Sequence, residues 1–127
     1  MSGSDSNLSV YASKICFRSA FTGKIGADML GDIVQSELKK HGVTRGLICE
    51  NTSRTSYSVA LSIPGIDRIF LHDPGANDSY TAYDISEEEL ENANLFHFGY
   101  PPLMREMYRN EGEELLALFQ RVKEKKI

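Results

Sequence analysis

Residues 55–77, TSYSVALSIPGIDRIFLHDPGAN, constrain the fold more than any other part of the chain. Four bulky apolar residues alternate here with small ones, and a period of two places them on one face of a β-strand. They are Tyr57, Val59, Leu61 and Ile63. Pro64 and the glycine after it supply turn chemistry. Residues 68–72 form a second β-rich run, and residues 74–77 form a second turn that closes the hairpin. The sequence therefore predicts an antiparallel hairpin, which should pack over another part of the protein or pair with a partner's sheet.

Helical patterns surround this hairpin. Residues 8–15 have helical spacing behind a cap at Ser6 or Asn7, and Asp28 is a good N-cap for a helix that ends before Gly42. Three further helical features follow: a capping residue at Ser86, a pattern over residues 103–126, and a possible break at Gly112.

Short strands are predicted between the helices. They cover residues 16–21 and the apolar run 94–99, with a loop over residues 22–26. Residues 43–50 form either a strand or an extended link. Helices that alternate with short strands favour an α/β layered domain with a small antiparallel β layer. A length of 127 residues suits a single domain, residues 1–127.

Composition narrows the class of protein. With 41% hydrophobic and 25% charged residues the chain reads as soluble and globular. A net charge of −4 argues against nucleic acid or an anionic membrane as partner. No run is long enough to span a membrane or serve as a signal peptide, so we expect a cytoplasmic protein. Cys16 and Cys49 are expected to be reduced, buried thiols, with a disulfide as the alternative.

Glycine-containing segments at the N-terminus carry the remaining motifs. Gly3-Ser4-Asp5-Ser6-Asn7 precedes the first predicted helix, and residues 21–31, FTGKIGADMLG, lead into the second. Gly23-Lys24 does not form a P-loop, because the leading glycine and the Ser or Thr after the lysine are absent. No histidine or cysteine spacing is typical of a metal site.

In this order, the segments resemble the PfkB (ribokinase-like) carbohydrate kinase family. Gly3 and Asn7 match a Gly-Gly-x-x-x-Asn segment in which Ser2 replaces the first glycine. Residues 23–31 match Gly-x-x-Gly-x-Asp-x-x-Gly, and residues 68–77 match the lid that covers the sugar in that family.

The resemblance implies a partial ribokinase-like α/β/α fold whose lid hairpin spans about residues 55–77. It implies sugar contacts from Gly3, Asp5, Asn7 and Asn77, and a pocket shaped by Gly75 and Ala76. It also implies a homodimer formed through the lid. In the complete enzyme, ATP and Mg²⁺ would serve a phosphoryl transfer to a sugar hydroxyl.

By the same resemblance, the catalytic aspartate lies in a Gly-Ala-Gly-Asp segment and the nucleotide pocket lies in the C-terminal half of the enzyme. No Gly-Ala-Gly-Asp segment occurs among these 127 residues. We therefore expect an N-terminal piece of a carbohydrate kinase that has no catalytic residue, binds no cofactor and is inactive alone.

Two alternatives stay open at this point. One is a non-catalytic small-molecule-binding or dimerisation module derived from that fold, and the other is an unrelated α/β protein with similar turns. The identity of the sugar is open too, because ribose, fructose, nucleosides and sugar acids all occur among the family's substrates.

Overall fold

The computed structural model describes residues 4–127, with side chains from Ser6 onward. It contains five α-helices and four β-strands within that range. The helices are α1 (Ser4–Lys14), α2 (Met29–Lys40), α3 (Glu87–Glu91), α4 (Arg105–Tyr108) and α5 (Glu113–Glu124). The strands are β1 (Gly23–Gly26), β2 (Leu47–Glu50), β3 (Tyr57–Leu61) and β4 (Ile69–Asp73).

A β-α-β unit forms the first half of the molecule. Strand β1 pairs in parallel with β2, in the register Gly23↔Leu47 to Gly26↔Glu50, and α2 makes the crossover. Parallel strands require such a crossover, because a tight turn reverses the chain direction and would make the two strands antiparallel. Three buried residues form the small core beneath this unit: Val10, Leu38 and Val43.

The prediction of a strand over residues 16–21 and a loop over 22–26 is wrong. Cys16 leaves α1 with a φ of 66°, and the Ser19 hydroxyl donates a 2.9 Å hydrogen bond back to the Ser9 carbonyl. Pairing with the second strand begins only where the Phe21 N–H donates to the Arg45 carbonyl. The strand therefore begins seven residues later than predicted, at Gly23.

Most of the predicted helix-capping residues are confirmed, and one prediction is wrong. Asp28 caps α2, and Gly42, with a φ of 73°, follows its C-cap as expected. Ser86 caps α3 by accepting from the Glu89 N–H. The expected cap at Ser6 or Asn7 is wrong, because α1 already begins at Ser4.

A second core lies in the C-terminal half, where α5 packs against the segment before α3. Its buried members are Tyr80, Ala82, Ile85, Leu90, Met107, Leu118 and Val122. Gly112 ends the break before α5 with a φ of 83°. The Arg121 guanidinium donates hydrogen bonds to the carbonyls of Ala82 and Ile85 and to the Glu87 carboxylate, which joins α5 to this segment.

The prediction of a buried strand over residues 94–99 is also wrong. Phe96 and Phe98 are half-buried and lie against Phe119 of α5, with ring centroids 6.2 and 6.3 Å away at nearly perpendicular angles. Aromatic edge-to-face packing on a helix replaces strand pairing as the reason why this run is apolar.

The predicted hairpin is present, and its strands pair from Tyr57↔Asp73 to Leu61↔Ile69. The two cysteines are free, but they are exposed and not buried as expected. No helix within residues 4–127 is both long and apolar enough to cross a membrane.

Candidate functional site: the base of the hairpin

Two segments meet where the hairpin leaves the rest of the molecule. Residues 54–56 enter strand β3, and residues 75–77 begin the 3-10 helix (Gly75–Ser79) that follows β4. We call these two segments together the hairpin base. The Ala76 N–H donates a 2.7 Å hydrogen bond to the Arg54 carbonyl, and Asn77 Nδ2 donates a 2.9 Å bond to Ser56 Oγ. The structure thus brings Gly75, Ala76 and Asn77 against the other end of the predicted hairpin and shows the hydrogen bonds that join the two ends.

Gly75 makes this close approach feasible. Its φ is 47°, and a Cβ added there would lie 2.4 Å from the Arg54 carbonyl oxygen and 2.9 Å from the Ser56 nitrogen. Its N–H donates to the Asp73 carboxylate at 3.1 Å, and the same carboxylate pairs with the Arg54 guanidinium at 3.1 Å. A side chain at position 75 would push the two halves of the hairpin base apart.

The base is tied to the β-α-β unit through Asp28. Its Oδ2 accepts a hydrogen bond from the Thr55 N–H at 2.8 Å, and its Oδ1 accepts from the Thr55 hydroxyl at 2.7 Å. Oδ1 also accepts from the Gly31 N–H at 2.8 Å, which is the helix cap. The Gly26 N–H in turn donates to Thr55 Oγ1 at 2.9 Å. One buried threonine therefore connects the hairpin, strand β1 and helix α2.

These contacts lower the pKa of the Asp28 carboxyl below its ordinary value. The main cause is the hydrogen bond from the Thr55 backbone, followed by the Thr55 hydroxyl and the Gly31 backbone. Donors that stabilise the charged form of an acid favour its ionisation. Asp28 is therefore a fixed negative charge at neutral pH and is suited to holding backbone N–H groups.

A second polar network lies beneath residues 75–79. Lys24 is largely buried, and its Nζ donates to the Ser79 carbonyl at 2.8 Å and pairs with the Asp84 carboxylate at 3.0 Å. The Ser79 hydroxyl donates to the Glu50 carboxylate at 3.0 Å. Lys24 is thus bound to the last residue of the 3-10 helix and to an aspartate beyond it.

Among the other predicted sugar contacts, only Asn7 has a described side chain. Gly3 lies outside the described residues, and Asp5 is described only as part of the backbone of α1. Asn7 is half-buried and lines a shallow cleft between α1 and the end of α2, where it is joined by Tyr11, Lys14, Glu37 and His41 among others. Residues 75–77 do not line that cleft. Their common role in sugar binding remains a prediction.

A metal ion and a nucleotide phosphate would each require a different kind of site among the described residues. No group of three His, Cys, Asp or Glu side chains within them could hold a metal ion, so we assign no Mg²⁺ ligand there. The N-terminus of α2 follows a glycine-containing segment but is already occupied by the Asp28 carboxylate, which would repel a phosphate.

Residues 1–125 match the pfkB family carbohydrate kinases. This chain belongs to that family. The alternative of an unrelated α/β protein is therefore wrong.

Curated relatives of this pfkB-family chain include plant fructokinases. The probable fructokinase-5 of Arabidopsis thaliana is 30% identical over 110 residues, which cover 84% of this chain and 34% of that protein. A putative sugar kinase of Pyrococcus horikoshii is 28% identical over 123 residues, which cover 95% of this chain and 38% of that protein. The chain spans about a third of the length of these relatives.

Solved structures give the fold of this pfkB-family chain. A fructokinase from Xylella fastidiosa matches 97% of it with a TM-score of 0.82 at 20% identity, over 38% of that protein. The ribokinase of Giardia lamblia matches 95% of it with a TM-score of 0.74 at 17% identity, over 35% of that protein. At these identities the likeness shows the fold alone, which is a partial ribokinase-like α/β fold with a small antiparallel hairpin.

Sequence reasoning missed the roles of Thr55 and Lys24 and found only half the role of Asp28. A capping signal identified Asp28, but its contact with Thr55 spans 27 positions and leaves no local pattern. For Lys24 the sequence offers only an excluded P-loop pattern in a segment predicted to be a loop. Its contact with Ser79 spans 55 positions and leaves no local pattern either.

Proposed function

We propose that these 127 residues, as one portion of a single kinase domain, form the sugar-binding and lid portion of an ATP-dependent carbohydrate kinase. The observation that carries the proposal is the hairpin base, where Gly75, Ala76 and Asn77 are fixed against the segment that enters β3. Membership of the pfkB family supports the same assignment. A sugar presents hydroxyl groups. The N–H groups of Gly75 and Ala76 bind Asp73 and Arg54, so the groups that can meet a sugar are the Asn77 amide oxygen and its second amide hydrogen.

The proposed reaction of the complete enzyme is transfer of the ATP γ-phosphoryl group to a sugar hydroxyl. One supporting finding is that the Xylella fastidiosa fructokinase has been solved with bound ATP and matches this chain with a TM-score of 0.81. The portion described here would bind and orient the acceptor and exclude water beneath the lid, which lowers the entropic part of the barrier. By the family resemblance, the base that accepts the hydroxyl proton comes from a Gly-Ala-Gly-Asp segment that these residues do not contain.

Sugar binding can be tested on the 127-residue protein by NMR titration with fructose, ribose and related sugars. We expect saturable shifts of the amides of residues 75–77 for at least one sugar. Asn77→Ala should abolish them, and Asn94→Ala, at an exposed position away from the hairpin, serves as the matched control. Shifts confined to other residues, or equal shifts in both variants, would contradict the proposed site.

Phosphoryl transfer is tested separately by a coupled assay for ADP with the same sugars. We expect no sugar-dependent turnover by the 127 residues alone. Sugar-dependent release of ADP by the pure chain would show that the base and the nucleotide site lie within it and would overturn this part of the proposal.

We also propose that the hairpin pairs with the hairpin of a second copy. The alternative function, a non-catalytic dimerisation module, would rest on this pairing alone. The strand register places Tyr57, Val59, Leu61, Ile69 and Leu71 on one face of the hairpin, and all five are exposed. Exposed apolar side chains grouped on one face are a common mark of an interaction surface. Residence in the cytoplasm, where ATP and sugars are available, is part of the same proposal.

A further inference from the structure

We propose that Asp28 is a positioning residue that fixes the hinge of the lid to the β-α-β unit and thereby sets the place of residues 75–77. The hinge is defined here as residues 54–56. The consequence for sugar affinity rests on the function proposed above, whereas the mechanical role of Asp28 does not.

The Asp28 carboxylate accepts hydrogen bonds from two elements. Oδ1 accepts from the Gly31 N–H at the start of helix α2, and Oδ2 accepts from the Thr55 N–H. The Thr55 hydroxyl adds a second bond to Oδ1 at 2.7 Å. Two donors of one residue on one carboxylate restrict both the position and the rotation of the hinge.

Thr55 is buried, and the hinge lies close to the backbone of Gly26 and Gly31. Thr55 is 4% exposed. A Cβ added to Gly26 would lie 2.4 Å from the Ser53 carbonyl oxygen, and one added to Gly31 would lie 3.0 Å from Thr55 Oγ1. Glycines at these two positions allow the hinge to approach the backbone of β1 and α2 directly.

The hinge passes its position on to the predicted sugar contacts. The residue before Thr55 accepts from the Ala76 N–H, and the residue after it accepts from Asn77 Nδ2. By contrast, residues 57–71 of the hairpin are all exposed and therefore contribute little to its orientation. Loosening the bond to Asp28 should free the hairpin while its own strand pairing stays intact.

The substitution Asp28→Asn separates this role from simple helix capping. Its amide oxygen still caps α2, because asparagine is as good an N-cap as aspartate. Its NH₂ group would face the Thr55 N–H, and two donors cannot bond to each other. Asp28→Ser is a second variant that keeps the cap but is too short to reach both Thr55 donors. Ser86→Ala, which removes the cap of α3, is the control for a general loss of stability.

The decisive measurement is amide hydrogen exchange and ¹⁵N relaxation on the 127-residue protein. In Asp28→Asn and Asp28→Ser we expect exchange of the Thr55 and Ala76 amides to accelerate about tenfold, and the order parameters of β3 and β4 to fall. The Gly31 amide should keep its protection, and Ser86→Ala should change none of these values.

Thr55 provides a test that holds even if no Asp28 variant folds. Thr55→Val keeps the shape but removes the hydroxyl, and it should loosen the hairpin, whereas Thr55→Ser should restore wild-type behaviour. Unchanged relaxation of β3 and β4 in Thr55→Val would overturn the inference. So would equal loss of protection at Gly31 and Thr55 in Asp28→Asn, since that result indicates a helix cap and nothing more.

A sugar titration of the same samples separates this inference from the proposed function. If the wild type binds no sugar but the variants loosen the hairpin, the proposed function fails and the hinge role stands. If the wild type binds a sugar, we expect the loosened variants to bind it more weakly. Equal affinity with a loosened hairpin would overturn the positioning role.

Discussion

Asp28 holds two elements with one carboxylate, and its charge state therefore affects the stability of the fold. The hydrogen bonds from Thr55 and Gly31 place the pKa of this carboxyl below its ordinary value. In the unfolded chain an aspartate titrates at about pH 3.9. Its contribution to the free energy of unfolding is fully present above that value and is lost as the pH falls through the lower pKa of the folded state.

The downward direction of this pKa shift predicts how the stability of the Asp28→Asn variant compares with that of the wild type. The difference in their free energies of unfolding should be constant between about pH 5 and pH 7 and should shrink below about pH 4, because protonation weakens only the wild-type contacts. Urea unfolding at a series of pH values measures the difference. A difference that grows on acidification would contradict the assignment.

Gly75 gives a second prediction at the scale of a residue. Gly75→Ala should lower the free energy of unfolding by about 1–3 kcal/mol, because its φ of 47° disfavours a side chain and the new Cβ would meet the Arg54 carbonyl. Gly65→Ala is the matched control, since Gly65 has a φ of 80° but open space around it. We expect Gly65→Ala to cost about 1 kcal/mol, and equal losses in the two variants would argue against close contact at the hairpin base.

At the scale of the elements, the hairpin has two different faces. The strand register places Tyr57, Val59 and Leu61 on the same face as Leu71 and Ile69. The opposite face carries Ser58 and Ala60, across from His72 and Phe70. The alternation was predicted, but the apolar face is exposed and does not cover another part of the described residues.

Self-association through the apolar face should be sensitive to charge at its centre. Val59→Lys should raise the dissociation constant of a dimer by at least about tenfold, because an ammonium group would lose its hydration in the interface. Ala60→Lys, at the neighbouring position on the other face, should leave association unchanged. Sedimentation velocity measures both variants, and a wild type that stays monomeric at every concentration would contradict the proposed dimer.

At the scale of the whole molecule, the C-terminal core joins α5 to the segment that follows the hairpin base. Leu118 of α5 is 0% exposed, and Leu116 of the same helix is 60% exposed. Both are leucines in one helix, so they offer a direct comparison of buried and exposed positions.

Leu118→Ala should lower the free energy of unfolding by about 2–5 kcal/mol, because it removes apolar contacts and leaves a cavity. Leu116→Ala should change it by about 0.5 kcal/mol or less, as is usual for exposed positions. Urea unfolding of the two variants measures the contrast. A large loss for Leu116→Ala in the isolated chain would show that this face of α5 is covered, for example by a second copy.

Local chemistry made part of this structure predictable. Turn residues and alternation identified the hairpin, and capping residues identified the starts of α2 and α3 and the break at Gly112. Each of these signals depends on neighbours within about four positions, where the sequence and the backbone geometry are directly linked. The order of the motifs also identified the family, which the match over residues 1–125 confirms.

The errors occurred where partners are distant in sequence. The first strand lies at residues 23–26 and not at 16–21. The position of so short a strand depends on its parallel partner, and the paired residues of β2 are 24 positions further along the chain. The apolar run 94–99 packs its rings on α5 and pairs with no strand. Apolar composition gives the tendency to be buried but does not say against what.

The sequence by itself determined the hairpin, its turns, the helix caps and the family, because these follow from the residues' own conformational preferences and from their order. Only the tertiary structure decided that Thr55 meets Asp28, which hydrogen bonds join residues 54–56 to residues 75–77, and that the apolar face of the hairpin is exposed. Such contacts depend on how the elements pack in three dimensions, and a hydrogen bond across 27 positions has no periodic signal in the chain.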